Sequence, residues 1–96
     1  MKFNFDYSLE KDLILKETRD IGFEEIIDAI LEGGILKDTK NPNSKKYSNQ
    51  RMFAVRIDNY AYAVPYVEDK VKKVIFLKTC WPSREFTKKY IKNVKK

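Results

Sequence analysis

Hydrophobic and polar positions divide the chain into two helical segments, a series of strands and a final helix. In the second helical segment, apolar residues recur at i, i+3, i+4, i+7 and i+8 from Phe23 to Leu31. This spacing is typical of a helix with one buried face. Acidic residues open the segment and Gly33-Gly34 follows it, as expected at the two ends of a helix. We therefore predict an amphipathic helix that packs on a sheet.

The first helical segment has a weaker pattern. Leu9, Leu13 and Ile14 mark one face of a helix, and Ser8 precedes them at a position where its hydroxyl would cap the first turn. A short strand-like run at residues 3–5 comes before this helix. The pattern predicts a helix that starts near Ser8.

After Gly34 the apolar period shortens to two, which is typical of strands. The predicted strands lie at residues 35–38, 51–57, 60–67 and 74–79. Asp58-Asn59 is a two-residue turn signal, so the second and third of these strands should form an antiparallel hairpin. Pro65 has no N–H to donate, which suggests an edge strand or a bulge.

The chain is predicted to end in a third helix. Pro82 and Ser83 are suited to a helix start, and Phe86, Tyr90 and Val94 repeat at i, i+4 and i+8. The predicted class is therefore α+β, with two N-terminal helices, an antiparallel meander of about four strands and a C-terminal helix. At 96 residues the chain is expected to form one domain, residues 1–96.

Charge is distributed unevenly along the chain. Residues 1–32 carry a formal charge of −5, residues 33–69 carry +2 and residues 70–96 carry +9. Positive charge gathered at one end attracts a polyanion such as nucleic acid. The alternative is a lysine-rich helix that is merely solvated, and charge alone leaves both interpretations open.

Composition restricts the available chemistry. A single cysteine, Cys80, excludes an internal disulfide framework, and the absence of histidine removes the usual general base and metal ligand. Any catalysis must use Lys, Arg, Tyr or carboxylates, and we expect no metal or other cofactor. Cys80 is expected to be a buried bystander. Because no apolar run is long enough to span a bilayer and no signal peptide is apparent, we expect a cytoplasmic location and no membrane partner.

A long polar connection at residues 39–50 contains three lysines and a tyrosine. Long loops in small domains are often binding elements, although a surface loop without a role fits the sequence as well. Basic and tyrosine side chains from this loop and its neighbours would grip phosphates and stack a base if they met on one side of the meander. The residues expected there are Lys45, Lys46, Tyr47, Arg51, Arg56, Lys78 and Arg84.

Four short motifs resemble the BrnT-type toxins of the RelE/ParE superfamily. They are the opening Phe-x-Phe-Asp, the segment Gly-Phe-Glu-Glu-Ile at residues 22–26, the strand entry at residues 50–55 and the closing motif at residues 82–90. They occur in the family's order over nearly the full length. Two departures are a longer segment before Arg84 and the absence of a histidine that often precedes the second motif.

The resemblance implies a RelE-like fold and the toxin of a type II toxin-antitoxin system. Such a toxin is a metal-independent endoribonuclease that cuts mRNA, also on the ribosome, and so inhibits translation and growth. A ribbon-helix-helix antitoxin protein would hold it inactive. The residues also allow a non-catalytic nucleic-acid- or ribosome-binding module, or a protein-interaction domain of the ParE type.

The same resemblance suggests site residues. Arg51 looks like the arginine that begins the family's central strand, and Arg84 is similar to the arginine that follows Ser in its closing motif. We expect these two to clamp the scissile phosphate, because arginines stabilise charge that builds up in the transition state. From their chemistry, Lys45, Lys46 and Tyr47 complete the predicted catalytic set. The predicted RNA-binding residues are Arg56, Lys78, Lys88, Lys89 and Lys92.

Overall fold

The computed structural model describes residues 4–40 and 50–91, which form three helices and one six-stranded sheet. The elements are, in chain order, β1 (Asn4–Tyr7), α1 (Leu9–Arg19), α2 (Phe23–Leu31), β2 (Ile35–Lys40), β3 (Gln50–Ile57), β4 (Tyr60–Asp69), β5 (Val74–Leu77), β6 (Trp81–Pro82) and α3 (Arg84–Tyr90). The predicted α+β class and the order of the helices are confirmed.

The sheet has the order β1-β5-β4-β3-β2, and β6 pairs with the other part of β4. Strands β2 to β5 form the antiparallel meander that the sequence predicted. The prediction of about four strands in a purely antiparallel sheet is wrong, because β1 adds to β5 in the parallel direction and β6 adds antiparallel to β4. The strand-like run at residues 3–5 indicated β1 but not its pairing with β5, and β6, with two residues, is too short for an alternating pattern to reveal it.

Two serines cap helices at the predicted positions. The Ser8 hydroxyl accepts a hydrogen bond from the Lys11 N–H at 3.2 Å, at the start of α1. The Ser83 hydroxyl accepts one from the Phe86 N–H at 3.0 Å, at the start of α3. Pro82, expected at the helix start, lies one step earlier in β6. Each cap satisfies one of the backbone donors that a helix start leaves without an intrahelical partner.

The junction between α1 and α2 is built around a buried carboxylate. Asp12 Oδ1 accepts a hydrogen bond from the Phe23 N–H at 2.7 Å, and Asp12 Oδ2 lies 3.2 Å from Lys16 Nζ. Glu25 Oε1 accepts from the Gly22 N–H at 2.8 Å. A Cβ at Gly22 would lie 2.8 Å from Asp12 Oδ1 and 2.6 Å from Lys16 Cε. The Gly-Phe-Glu-Glu segment therefore starts α2 and leaves room for Asp12.

Both faces of the sheet are covered. One face carries the main core, to which α1 and α2 contribute; its buried members are Leu15, Ile21, Phe23, Ile26, Phe53, Val55, Val64, Tyr66, Leu77 and Cys80. Alternate residues of β3 and β4, including Met52 and Ala63, point to the other face and are also buried. Helix α3 contacts β4, where Thr87 Oγ1 accepts a hydrogen bond from the Ala61 N–H at 2.9 Å.

Pro65 lies inside the sheet, so the expectation of an edge strand or bulge is wrong. Its strand, β4, pairs with β3 on one side and with β5 and then β6 on the other. The Pro65 carbonyl accepts from the Lys78 N–H at 2.9 Å. Since the N–H and C=O of an antiparallel residue point to the same side, the missing N–H faces Lys78, the residue just past the last β4–β5 pair. The bond that Pro65 would donate to Lys78 is therefore lost, and β5 ends one residue earlier, at Leu77.

Candidate functional site

Arg51 lies at the start of β3, where three strands meet side by side. Its Cα pairs with Lys40 on β2 and with Tyr66 on β4. Alternation along β3 places Arg51 on the same face as Phe53 and the main core. Arg51 therefore stands at the border between the core and the surface, next to the connection that leads from β2 to β3.

Three side chains form what we call the Arg51 cluster: Asp38, Arg51 and Tyr66. Arg51 Nε donates to Asp38 Oδ1 at 3.1 Å, and Arg51 Nη2 donates to the Asp38 carbonyl at 3.4 Å. The Tyr66 hydroxyl donates to the same Asp38 Oδ1 at 2.7 Å. The Arg51 and Asp38 side chains are 41% and 43% exposed, whereas Tyr66 is buried. The cluster thus joins a buried phenol to a solvent-accessible ion pair.

The electrostatics of the cluster fix the protonation of two members. Hydrogen bonding to Asp38 raises the pKa of Arg51, so the guanidinium stays charged. Burial, followed by the hydrogen bond to Asp38, raises the pKa of Tyr66 well above its ordinary value. Tyr66 therefore remains a hydrogen-bond donor. Its ring stacks on Phe53 with centroids 4.0 Å apart, which holds the hydroxyl in place.

Part of the cluster remains available to a ligand. Within residues 4–40 and 50–91, the hydrogen bonds to Asp38 reach its Oδ1 and its backbone carbonyl, and none of them involves Oδ2. Guanidinium N–H groups bind phosphate oxygens in a fixed geometry, and a carboxylate oxygen accepts a proton from a hydroxyl group. The arrangement therefore presents an anion-binding group beside a proton acceptor.

Arg84 lies far from Arg51. It is the first residue of α3 and is exposed, and the preceding Ser83 N–H donates to the Ala61 carbonyl of β4. Arg51 pairs with Tyr66, five residues along β4 from Ala61, which corresponds to about 17 Å. Because β6 returns the chain to the other end of β4 before α3 begins, the structure does not bring the two predicted arginines together.

Arg56 is engaged at the opposite end of β3 from Arg51. Its Nε donates to the Asp58 carbonyl at 3.0 Å, and its Nη2 donates to Asn59 Oδ1 at 3.1 Å. Asp58 has a positive φ of 57°, as expected in a tight hairpin turn. In this structure Arg56 therefore braces the turn that the sequence predicted at Asp58-Asn59.

The predicted lysines lie on other surfaces. Lys78 follows β5 and places Nζ 5.4 Å from the centroid of the Phe76 ring. Lys88 and Lys89 are exposed in the last turn of α3. The remaining predicted residues, Lys45, Lys46, Tyr47 and Lys92, fall outside the described residues.

Phe76 and Lys78 also line a groove on the sheet face opposite to the main core. The groove has a volume of about 400 Å³, and its walls are formed by Asp6, Val67, Asp69, Lys72, Val74, Phe76 and Lys78. An aromatic ring beside two lysines suits a nucleobase with its phosphates, whereas Asp6 and Asp69 in the same walls oppose phosphate binding. We call this groove the Phe76 groove.

Sequence reasoning missed Asp38, Tyr66 and Phe76. An aspartate and a tyrosine on separate strands carry no shared motif, and only the strand register reveals that they meet. The hairpin turn fixes the register between β3 and β4, but the partners of β2 depend on the longer connection at residues 41–49. The hairpin register was therefore sufficient to predict that Tyr66 lies beside Arg51. No comparable feature of the sequence predicted the position of Asp38.

Cys80 lies outside the site. It is completely buried in the main core, as expected, and burial raises the pKa of its thiol to about 11. Among the described residues, no group of three acidic or cysteine side chains is placed to hold a metal ion. None of the three described helices is long and apolar enough to cross a membrane.

Comparisons of this chain with protein-family models, curated proteins and solved structures find no match. What bears on function is therefore the chemistry of the Arg51 cluster and the distribution of charge around it.

Proposed function

We propose that this protein is a metal-independent endoribonuclease, the toxin of a toxin-antitoxin pair, and that the Arg51 cluster is its active site. The observation that carries the proposal is the pairing of a charged, partly exposed guanidinium with a carboxylate, one oxygen of which has no hydrogen bond within residues 4–40 and 50–91. Histidine-free RNA cleavage requires those two functions, a proton acceptor for the 2′-hydroxyl and a cation for the phosphate.

Asp38 Oδ2 takes the proton of the ribose 2′-hydroxyl as its oxygen attacks the adjacent phosphorus. The bond from phosphorus to the 5′ oxygen breaks, and that oxygen takes a proton from water. The products are a 2′,3′-cyclic phosphate and a 5′-hydroxyl. Arg51 donates hydrogen bonds to the phosphoryl oxygens, whose negative charge increases in the transition state. Tyr66 is a positioning residue that holds Asp38 Oδ1.

The wider charge pattern supports RNA as the substrate. Residues 70–96 carry a net charge of +9, and exposed bases on α3 and beside β5 extend the positive surface beyond the cluster. In this proposal Arg84, Lys78, Lys88 and Lys89 bind flanking phosphates rather than the scissile one. Lys40, paired with Arg51 across the β2–β3 ladder, is a further phosphate contact.

The toxin assignment rests on the four motifs and on the order of elements. The resemblance to BrnT-type toxins implies two helices, a meander and a final helix in this order, and the α+β order of the elements is compatible with it. The proposal includes a RelE-like arrangement of the fold and cleavage of mRNA that stops translation and growth. It also includes neutralisation of the toxin by a ribbon-helix-helix antitoxin. Lys45, Lys46, Tyr47 and Lys92 stay predicted contributors to RNA binding or cleavage.

The test is induced expression in a bacterial host together with cleavage of single-stranded RNA in vitro in the presence of EDTA. We expect the parent protein to arrest growth and cut RNA. Arg51→Ala and Asp38→Asn should each lower the cleavage rate by about 10²- to 10³-fold, the usual loss when a group that stabilises the transition state is removed. Arg19→Ala, which removes an exposed arginine from the end of α1, should remain fully active.

Circular dichroism and thermal melting would confirm that each variant is folded. Undiminished cleavage by both Arg51→Ala and Asp38→Asn would refute the assigned site, and a folded parent protein that leaves RNA intact would refute the nuclease.

A second candidate function is RNA binding without cleavage, favoured by the Phe76 groove. Phe76→Ala would remove a stacking surface, and Lys72→Ala with Lys78→Ala would remove two phosphate contacts. If RNA binds in this groove, the Lys72→Ala, Lys78→Ala double variant should bind RNA more weakly than the parent protein. The salt dependence of its binding should correspond to about two fewer released counterions. Arg51→Ala would then have little effect on RNA binding, which distinguishes the two candidates.

A further inference from the structure

Helix α1 turns apolar side chains towards solvent. Leu9 is 73% exposed, Leu13 is 62% exposed and Ile14 is 46% exposed. These residues are the ones that the sequence pattern marked as one helix face, yet the buried side of α1 is formed by Asp12 and Leu15. Single exposed apolar residues are ordinary, whereas three on one short helix indicate a contact surface.

The orientation of α1 is fixed from its inner side. Asp12 is 5% exposed and its carboxylate accepts the Phe23 N–H at the start of α2, while Leu15 belongs to the main core. Rotating α1 to bury Leu9 and Leu13 would break the Asp12 hydrogen bond and expose Leu15. The apolar side chains are therefore held outward by the fold.

Two glutamates share the outward side. At 100° per residue, Glu10 and Glu17 fall between Leu13 and Ile14 around the helix. Both glutamates are exposed. Within the described ranges, neither carboxylate forms a hydrogen bond or an ion pair with another residue. We call Leu9, Glu10, Leu13, Ile14 and Glu17 the outward face of α1. It combines apolar contacts with two negative charges.

We infer that the outward face of α1 is a docking surface for an amphipathic helix of a partner protein. That helix carries Lys or Arg beside its apolar residues. Leu9 and Leu13, at i and i+4, match the spacing of anchors in helix recognition. Glu10 and Glu17 select the basic flank of the partner. The 11 residues of α1 span about 16 Å, so a partner helix of about three turns covers the face.

Charge favours this occupant over the two simplest alternatives. A symmetric pairing of two α1 helices would bring Glu10 and Glu17 of one copy close to those of the other. The same two glutamates oppose contact of this face with an anionic membrane surface. A basic helix is attracted where a second copy or an anionic bilayer is repelled. The inference does not depend on RNA cleavage.

The experiment uses two synthetic helical peptides of about four turns with the same leucine row. One peptide is flanked by lysines and the other by glutamates. Fluorescence anisotropy measures the binding of each labelled peptide to the full chain at low salt. We expect the lysine-flanked peptide to bind the parent protein at least about tenfold more tightly than the Leu9→Ala, Leu13→Ala double variant. Glu10→Gln with Glu17→Gln should weaken binding by about two- to tenfold.

Leu31→Ala is the matched control, because Leu31 is an equally exposed leucine, at 70%, on α2. This variant should bind as the parent protein does, and so should Asp38→Asn, which separates the inference from the proposed nuclease. Equal binding to the parent and the Leu9→Ala, Leu13→Ala variant would overturn the inference. So would an equal loss in Leu31→Ala, or sedimentation showing a dimer that the double leucine variant dissociates.

Discussion

At the scale of single residues, Tyr66 is the most constrained member of the Arg51 cluster. Its ring is buried against Phe53, and its hydroxyl reaches the Asp38 carboxylate at 2.7 Å. A buried hydroxyl without a hydrogen-bond partner destabilises the folded state. The contact therefore has two effects: Asp38 provides the acceptor that the Tyr66 hydroxyl needs, and Tyr66 orients the Asp38 carboxylate. The ion pair with Arg51 is partly solvated and contributes little stability by itself.

Tyr66→Phe tests this positioning role. We expect the turnover number for RNA to fall by about tenfold while KM changes little, because the variant releases Asp38 without removing the Arg51 guanidinium. The free energy of unfolding should change by no more than about 1.5 kcal/mol. Steady-state cleavage and urea denaturation measure the two effects. A rise in KM at constant turnover would show instead that Tyr66 supports substrate binding.

At the scale of elements, the two N-terminal helices depend on one shared contact. Asp12 from α1 accepts the Phe23 N–H of α2 and faces the positive end of that helix. Glu25 secures the neighbouring Gly22 N–H. Helix α2 therefore begins at a junction to which α1 supplies one acceptor.

Asp12→Ala should lower the free energy of unfolding by about 1–3 kcal/mol, because the buried Phe23 N–H loses its acceptor. Asp12→Asn keeps an acceptor oxygen and should lose less. Glu10→Ala, on the solvent side of the same helix, should stay within about 0.5 kcal/mol of the parent protein. Urea denaturation measures all three. An Asp12→Ala variant as stable as Glu10→Ala would show that the junction does not need the carboxylate.

Periodicity predicts the elements that are long and buried on one side. Helix α2, the hairpin at Asp58-Asn59 and the serine caps all follow from local sequence. The run at residues 3–5 indicates a strand near β1 but not its parallel pairing with β5, and β6, with two residues, shows no period. The outward face of α1 also escapes prediction, because its true inner side contains Asp12, a residue that the pattern counts as polar surface.

The candidate site was predictable only in part. Arg51 follows from the resemblance and from its place at a strand entry. Asp38 becomes its partner through the register of β2 and β3, which local sequence does not determine. Arg84 was predicted beside Arg51 from the resemblance and from its charge, and β6, which is too short to be predicted, carries the start of α3 to the other end of β4.

At the scale of the whole molecule, buried acidic groups of high pKa limit stability in alkaline solution. Burial raises the pKa of the Cys80 thiol to about 11 and also raises the pKa of Tyr62 and Tyr66. In the unfolded chain an ordinary thiol loses its proton near pH 8.5 and a phenol near pH 10. Between those values and the folded-state values, the unfolded state binds fewer protons, so stability falls as pH rises.

Below about pH 8 these groups are protonated in both states, so they should not make the free energy of unfolding depend on pH. From about pH 8.5 to 11 we expect the free energy of unfolding to decline. Urea denaturation across this range measures it. Cys80→Ala should be less stable at neutral pH, because it leaves a small cavity, but should show a shallower alkaline decline. An identical pH slope in the parent protein and Cys80→Ala would mean that the thiol does not contribute.

The parallel pairing of β1 with β5 has a consequence for the time course of folding. Asn4 pairs with Val74, which lies 70 positions further along the chain (74 − 4). Closing so long a loop slows folding, because the entropy of closure is lost before the contact is gained. During synthesis the meander can form while its edge at β5 stays open. The residues of β1 are thus among the last to be fixed in the sheet.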